Sequence, residues 1–138
     1  MHFTYLITGG NFTHAGHASS QVKRILKQLN VNPVTIKRIV VALYEAEVNV
    51  VAHAYRGNID VDIEPERVLV LITDEGPGIA DIELAMKEGY STASPKVREM
   101  GFGAGMGLSN MKKNSDKLII QSQVGQGTHV ELTTFLTQ

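Results

Sequence analysis

The part of the chain that most constrains its fold lies between residues 74 and 111, where two glycine-rich motifs follow an apolar run. Residues 74–79, beginning with Asp74, come directly after the unbroken apolar residues 68–72. Residues 101–111 alternate glycine with other residues and lead into a segment with helical character. Glycines leave main-chain N–H groups free to surround phosphate oxygens, and the following helix N-terminus favours negative charge. We therefore expect both motifs to close on one nucleotide.

Length and composition predict a single soluble domain over residues 1–138. The chain has 43% hydrophobic residues, 20% charged residues and a net charge of −1, which gives no basic footprint for direct nucleic-acid binding. It contains no cysteine, so disulfides and thiolate chemistry are excluded. The N-terminus lacks the pattern of a signal peptide, and no apolar run approaches the roughly 18 residues of a membrane span. We expect a cytoplasmic protein without a membrane partner.

Hydrophobic periodicity predicts the order of the secondary-structure elements. In chain order the pattern indicates a strand over 3–8, helices over 14–29 and 33–55, a turn over 56–58, strands over 59–63 and 68–73, a short helix over 81–87, a loop over 88–105, a helix over 109–114 and a closing hairpin over 118–135. The predicted fold class is α+β. We expect a two-layer sandwich in which helices cover one face of a mixed, mostly antiparallel sheet.

The long second helix carries the candidate chemical groups. Glu45 and Asn49 lie one turn apart, opposite the apolar stripe, and Val41 shares their side, which indicates a face covered by a ligand or another element. The Asn49 carbonyl suits Mg²⁺, and Glu45 could accept a proton from a hydroxyl or water that attacks a phosphate. In isolation, a solvated pair is the better explanation of this pattern. Glu47 falls inside the apolar stripe, where a carboxylate must be paired, lie at an edge or face a partner.

The two glycine motifs also have simpler explanations when taken singly. Asp74 could accept a hydrogen bond from an exocyclic amine such as that of adenine, or it could form a turn at a strand end. The second motif could be a flexible turn. It is neither a Walker loop, because no Gly-Lys-Ser/Thr follows, nor a Rossmann fingerprint, because it does not follow the first strand of a βαβ unit.

Taken together, these segments resemble the GHKL, or Bergerat-fold, ATPases, a superfamily that includes DNA gyrase and the histidine kinases. Residues 45–49 resemble the N box of these proteins, 74–78 their Asp-x-Gly-x-Gly box, 103–108 their second glycine box and 125–128 their final Gly-x-Gly-Thr box. Order and spacing agree over nearly the whole chain. The short length, residues 89–92 and the abbreviated lid are similar to bacterial anti-sigma-factor and stressosome switch serine/threonine kinases.

The resemblance implies a role for each matching residue. Glu45 would be the general base and Asn49 the Mg²⁺ ligand, while Asp74, Gly78 and Thr128 would read the adenine of ATP. Either Lys96 or Arg98 would reach the γ-phosphate. The further nucleotide-binding residues implied are Gly76, Ile79, Gly103, Ala104, Gly105, Met106, Gly107 and Leu108, of which Gly103, Gly105 and Gly107 would hold the phosphates.

The same resemblance implies a serine/threonine-protein kinase that transfers the ATP γ-phosphate to a STAS-domain partner. Some such proteins also sequester a sigma factor. Two alternatives stay open: an ATP-binding anti-sigma or adaptor module with little kinase activity, and a detached histidine-kinase ATPase domain acting in trans. A homodimer formed through the uncovered face of the sheet is also possible.

Overall fold

The computed structural model describes residues 1–87 and 107–136. Its elements are β1 (His2–Thr8), a 3₁₀ turn (Phe12–His14), α1 (His17–Gln28), α2 (Pro33–His53), β2 (Arg56–Ile63), β3 (Arg67–Glu75), α3 (Ile82–Ala85), α4 (Gly107–Lys113), β4 (Lys117–Gln123) and β5 (Gly127–Phe135). The predicted loop, with Lys96 and Arg98, lies outside the described residues. So does most of the second glycine motif, namely Gly103, Ala104, Gly105 and Met106.

The five described strands form one sheet in the order β1-β2-β3-β5-β4, with β3 at its centre. Every neighbouring pair is antiparallel. The predicted α+β sandwich is therefore confirmed, and the sheet is antiparallel throughout these strands rather than mixed. Short connections join β2 to β3 and β4 to β5, as suits antiparallel hairpins, whereas α1 and α2 lie between β1 and β2 and residues 76–116 lie between β3 and β4.

The core lies between the sheet and the layer of helices. Successive side chains of a strand point to opposite faces of the sheet, so every second residue of the strands faces this core. The helices α1, α2 and α4 cover these residues. The largest fully buried side chains are Leu26, Leu43, Ile59, Ile72, Met111, Val22, Val50, Val61 and Val68. Burying one such side chain contributes about 1.5–3 kcal/mol, so this layer supplies most of the force that holds α2 against β3.

Local signals explain where the two long helices begin. Asn32 Oδ1 accepts the N–H of Val34 at 2.9 Å, and Pro33 occupies the first turn, where its missing N–H costs nothing. The first helix, predicted from residue 14, begins at His17 instead. Gly16 adopts φ +94°, a left-handed conformation that separates the helix from the preceding 3₁₀ turn.

The predicted turn over residues 56–58 is wrong, because these residues are the first part of β2. Arg56 pairs with Glu75 and Gly57 with Asp74, so the strand runs the full length of β3. Glycine is required at 57, since a Cβ there would lie 2.9 Å from Val50 Cγ1. The long strand pair satisfies more main-chain groups than a turn would, and it carries β3 out to Asp74.

Glu47 has a structural role that the sequence left open. It is 2% exposed, and its carboxylate accepts the N–H groups of Ala18 at 3.0 Å and Ser19 at 3.1 Å. Both donors lie in the first turn of α1, whose N-cap, Gly16, has no side chain to accept them. Glu47 therefore caps α1 from the neighbouring helix, and the positive end of the α1 dipole stabilises its charge.

The described helices include none that is both long and apolar enough to cross a membrane.

Replacing Glu47 should destabilise the fold. Glu47→Ala leaves two buried N–H groups without an acceptor, at about 1–3 kcal/mol each. We expect the free energy of unfolding in urea to fall by about 2–4 kcal/mol. Glu66→Ala, at an exposed position, is the control and should change stability by less than about 0.5 kcal/mol. Equal stability of the two variants would contradict the capping role.

Candidate functional site

Asp74 stands near the end of the central strand β3, beside the start of β5. Its Oδ1 atom accepts the N–H of Thr128 at 3.0 Å, and the side chain is half-buried. Burial raises the pKa of the Asp74 carboxyl above its ordinary value, while the hydrogen bond from Thr128 opposes that rise. One oxygen is fixed by the protein and faces a main-chain donor, which leaves the other oxygen of the carboxylate to accept from a ligand.

The turn after Asp74 packs tightly against the β4–β5 hairpin. Gly78 has φ +75°, and a Cβ there would lie 2.5 Å from the carbonyl oxygen of Gln123, so only glycine fits. The Gly76 N–H donates to Gln126 O at 3.0 Å, and the Gly125 N–H donates to Pro77 O at 2.9 Å. The first glycine motif and the final Gly-x-Gly-Thr motif therefore form one rigid unit.

Gly127 controls how closely β5 approaches Asp74. It has φ +153°, and a Cβ at this position would lie 2.0 Å from the Asp74 carbonyl oxygen. Any side chain here would push the two strand ends apart and break the hydrogen bond from Thr128 to Asp74. The glycine is needed for the geometry of the carboxylate rather than for flexibility.

Ser122 joins three parts of this unit, and the sequence reasoning missed it. Its Oγ accepts the N–H of Ile79 at 2.7 Å, lies 2.8 Å from Thr128 Oγ1 and lies 3.1 Å from Gly127 O. The signal was available in the strand pattern. Ser122 occupies a core-facing position in β4, where the alternation leads one to expect an apolar residue.

Glu45 lies in a second part of the candidate site, away from Asp74, where α2 meets the start of α4. The Asn110 amide donates to Glu45 Oε1 at 3.2 Å, and a Cβ on Gly107 would lie 3.5 Å from Glu45 Oε2. The first residue of α4 thus faces this half-buried carboxylate. Leu108, at 7% exposure, packs into the core and anchors α4. Asn110 was not predicted, since nothing in the sequence marks it.

Helix α2 connects the part of the site around Glu45 with the part around Asp74. Asn49 is half-buried one turn after Glu45, and α2 then runs to His53. Burial lowers the pKa of His53, so its imidazole is neutral near pH 7. Gly76 packs against the end of the helix, because a Cβ there would lie 2.9 Å from Ala54 Cα. From Glu45 to Ala54 the chain advances about 13 Å.

The donor set fits a magnesium ion that arrives with phosphate. The Asn49 side chain offers a hard carbonyl oxygen, which Mg²⁺ prefers. Among the described residues no three His, Cys, Asp or Glu side chains are grouped closely enough to hold a metal. Magnesium usually takes one or two protein oxygens and completes its octahedron with phosphates and water, so the single oxygen of Asn49 suffices.

The raised pKa of Asp74 makes a prediction for the nucleotide-free protein. A carboxyl whose pKa is higher in the folded state stabilises the fold below its ordinary pKa and loses that contribution as pH rises through the folded value. Asp74→Asn keeps an acceptor for Thr128 and cannot ionise. We expect the variant to gain stability relative to the native protein as pH rises from about 4 to 7, measured by urea denaturation.

Glu66→Gln removes the same charge at an exposed position and serves as the control. Its stability difference from the native protein should stay nearly constant over the same pH range. A constant difference for Asp74→Asn as well would show that burial of Asp74 carries no energetic cost.

Comparison with known proteins identifies the family. A family model described as the histidine kinase-like ATPase domain matches residues 11–134. The serine/threonine-protein kinase RsbT of Bacillus subtilis (strain 168) is 29% identical over 118 residues, which cover 83% of each chain. An anti-sigma F factor of Caldanaerobacter subterraneus subsp. tengcongensis is 32% identical over 124 residues, covering 86% of this chain and 83% of the relative.

Solved structures share the fold at lower sequence identity. The crystal structure of the RsbU and RsbW domains of Rv1364c from Mycobacterium tuberculosis superposes with a TM-score of 0.64 and 17% identity, covering 99% of this chain and 33% of that one. The mycobacterial sensor histidine kinase MprB gives a TM-score of 0.56 and 17% identity, covering 98% and 97%. The resemblance seen in the sequence is confirmed: the chain belongs to the family of histidine kinase-like ATPase domains.

Proposed function

We propose that this protein is a serine/threonine-protein kinase of the anti-sigma regulatory type, which transfers the γ-phosphate of ATP to a serine or threonine of a STAS-domain partner. The observation that carries the proposal is the position of Glu45. Its carboxylate faces the first residue of α4 and shares one side of α2 with Asn49. A protein that only bound ATP would need Asp74 and Asn49 but would not need a general base beside them.

The residues divide the proposed reaction between them. Asp74 accepts a hydrogen bond from the adenine amine, and the rigid turn at Gly78 supports the adenine ring. The main chain around Gly107, at the start of α4, contacts the phosphates, together with Gly103 and Gly105 of the same motif. Asn49 would hold Mg²⁺, which would supply neutralisation of part of the phosphate charge. A cation from Lys96 or Arg98 adds to that neutralisation.

Glu45 accepts the proton of the partner's hydroxyl as the hydroxyl oxygen forms its bond to the γ-phosphorus. The bond from that phosphorus to the β–γ bridging oxygen breaks, and ADP leaves with the electron pair. The amide of Asn110 holds the Glu45 carboxylate in place for this transfer. Little covalent chemistry falls to the protein, so positioning and charge supply most of the acceleration.

A second candidate function is an ATP-binding anti-sigma or adaptor module with little or no transfer. It is favoured by the 32% identity to proteins named as anti-sigma F factors, which extends over most of the chain. In that case nucleotide binding would control the release of a partner, and a sigma factor is the candidate partner. Retention of Glu45 supports the kinase over this alternative.

The test is Glu45→Gln, which keeps the shape of the side chain and an acceptor for Asn110 but removes the base. We expect phosphotransfer to a purified STAS-domain protein to fall by about a hundredfold to ten-thousandfold. ATP affinity, measured by calorimetry, should change by less than about threefold. Transfer is measured with γ-labelled ATP and Mg²⁺, and the exposed Glu66→Gln serves as the matched control.

Three outcomes separate the candidate functions. Native transfer that survives Glu45→Gln would contradict the assigned mechanism. Tight ATP binding with no transfer by the native protein would favour the adaptor. An acid-labile phosphohistidine on the acceptor would indicate a histidine-kinase domain acting in trans.

A further inference from the structure

A groove between α1 and α2 has no part in the chemistry proposed above. Its volume is about 720 Å³. Three lysines line it, Lys23 and Lys27 one turn apart on α1 and Lys37 on α2, and its apolar lining includes Val31, Val40 and Val41. The lysines are exposed, whereas these three valines are half-buried. The groove thus combines a positive rim with an apolar floor.

The charged residues that line the groove are all positive. No aspartate or glutamate lines it, and none of the three lysines forms an ion pair with another described residue. The chain as a whole has a net charge of −1, so the three charges stand out from their surroundings. More apolar surface continues at the same end of the helical hairpin, where Leu29 is 42% and Val34 71% exposed.

The groove leads along α2 towards the candidate site. Val41, at the edge of the groove, lies one turn before Glu45 and about 40° from it round the helix axis, whereas Lys37 lies two turns before Glu45 and about 80° from it. The distance from Lys37 to Glu45 along the axis is about 12 Å. A segment seated in the groove would therefore reach Glu45 by extending about one helical turn beyond Val41. This is also the side of α2 on which Val41 accompanies Glu45 and Asn49.

We propose that the α1–α2 groove docks an acidic amphipathic helix of the protein that accepts the phosphate. Carboxylates one turn apart on such a helix match Lys23 and Lys27, and its apolar side chains fill the floor between α1 and α2 as ridges fill a groove. Identifying the occupant as the phosphate acceptor rests on the kinase function proposed above. The preference for an acidic helix rests on the groove alone.

Two designed peptides test the groove without knowledge of the natural partner. Each has about 18 residues, or five helical turns, with leucine along one face. The first carries glutamate at the other positions and the second carries lysine. We expect the glutamate peptide, titrated into ¹⁵N-labelled protein, to shift the amide resonances of residues 23–41. The lysine peptide should leave them unchanged, and the affinity should fall as salt increases.

Charge reversal locates the binding site. Lys23→Glu combined with Lys27→Glu should weaken binding of the glutamate peptide about tenfold. Lys112→Glu combined with Lys117→Glu makes the same change in net charge on α4 and β4 and should leave affinity within about twofold. Lys37→Glu alone gives an independent check from the other wall of the groove.

Several results would overturn the proposal. These are resonance shifts outside the groove, equal binding of the two peptides, equal loss in the two charge-reversed variants, or no binding. Lysine-dependent adsorption to phosphatidylglycerol vesicles without binding of the glutamate peptide would assign the groove to a lipid surface instead.

A phosphotransfer assay separates this proposal from the kinase function. The glutamate peptide should raise the KM for the STAS-domain acceptor several-fold and leave the KM for ATP unchanged. If no transfer occurs but the peptide binds the groove, the kinase function fails and the preference for an acidic helix stands. If transfer proceeds and the peptide neither binds the groove nor competes, the docking proposal fails and the kinase function stands.

Discussion

The candidate site depends on the hydrogen bond between the Thr128 N–H and the Asp74 carboxylate. This contact joins the central strand to the start of β5, and several features of the sequence serve to keep it short. Gly127 allows the two strand ends to meet, and Gly57 leaves room on the other side of Asp74. Ser122 closes the unit by accepting from Ile79 and contacting Thr128. The result is a half-buried carboxylate with one oxygen fixed by a hydrogen bond. Because burial disfavours the ionised form, a charged Asp74 lowers the free energy of unfolding.

Two carboxylates on α2 show how position decides role. Glu47 points into the apolar layer and accepts two N–H groups from the first turn of α1, so it stabilises the fold. Glu45, two residues earlier, points away from that layer towards Gly107 and the amide of Asn110. A separation of two residues turns a helical side chain by about 200°. The same helix therefore caps its neighbour on one side and presents a candidate base on the other.

Much of the fold could be predicted because local signals and tertiary packing agree. The Asn32-Pro33 signal marked the start of α2, and the apolar run in β3 marked a central strand. The predictions failed where tertiary contacts override composition. Residues 56–58 look like a turn but extend β2, because residues 73–75 of β3 offer their main chain partners. The first helix begins at His17, because Gly16 adopts a left-handed conformation that the sequence does not reveal.

The candidate site divides in the same way. Glu45, Asn49 and Asp74 could be chosen because spacing and a known set of motifs point to them together. Asn110 could not, since it acts through a contact between elements distant in the chain. Ser122 left one signal, a polar residue at a core-facing position of β4, but its contact with Ile79 is not visible in that pattern. The role of Glu47 was equally hidden, because its partners belong to a helix nearly 30 residues earlier. A sequence pattern shows how side chains repeat along one helix or strand. The roles of these residues depend instead on contacts between two elements, which such a pattern does not show.

The most direct test of the account is the choice between ATP and ITP, which differ at the exocyclic group that Asp74 is proposed to read. Calorimetry with the native protein should show ATP binding at least about tenfold tighter, since ITP presents a carbonyl oxygen to a carboxylate. In Asp74→Asn the amide can donate to that carbonyl, so the preference should shrink or reverse. Equal affinity of the native protein for the two nucleotides would contradict the assignment of Asp74 as the adenine-reading residue.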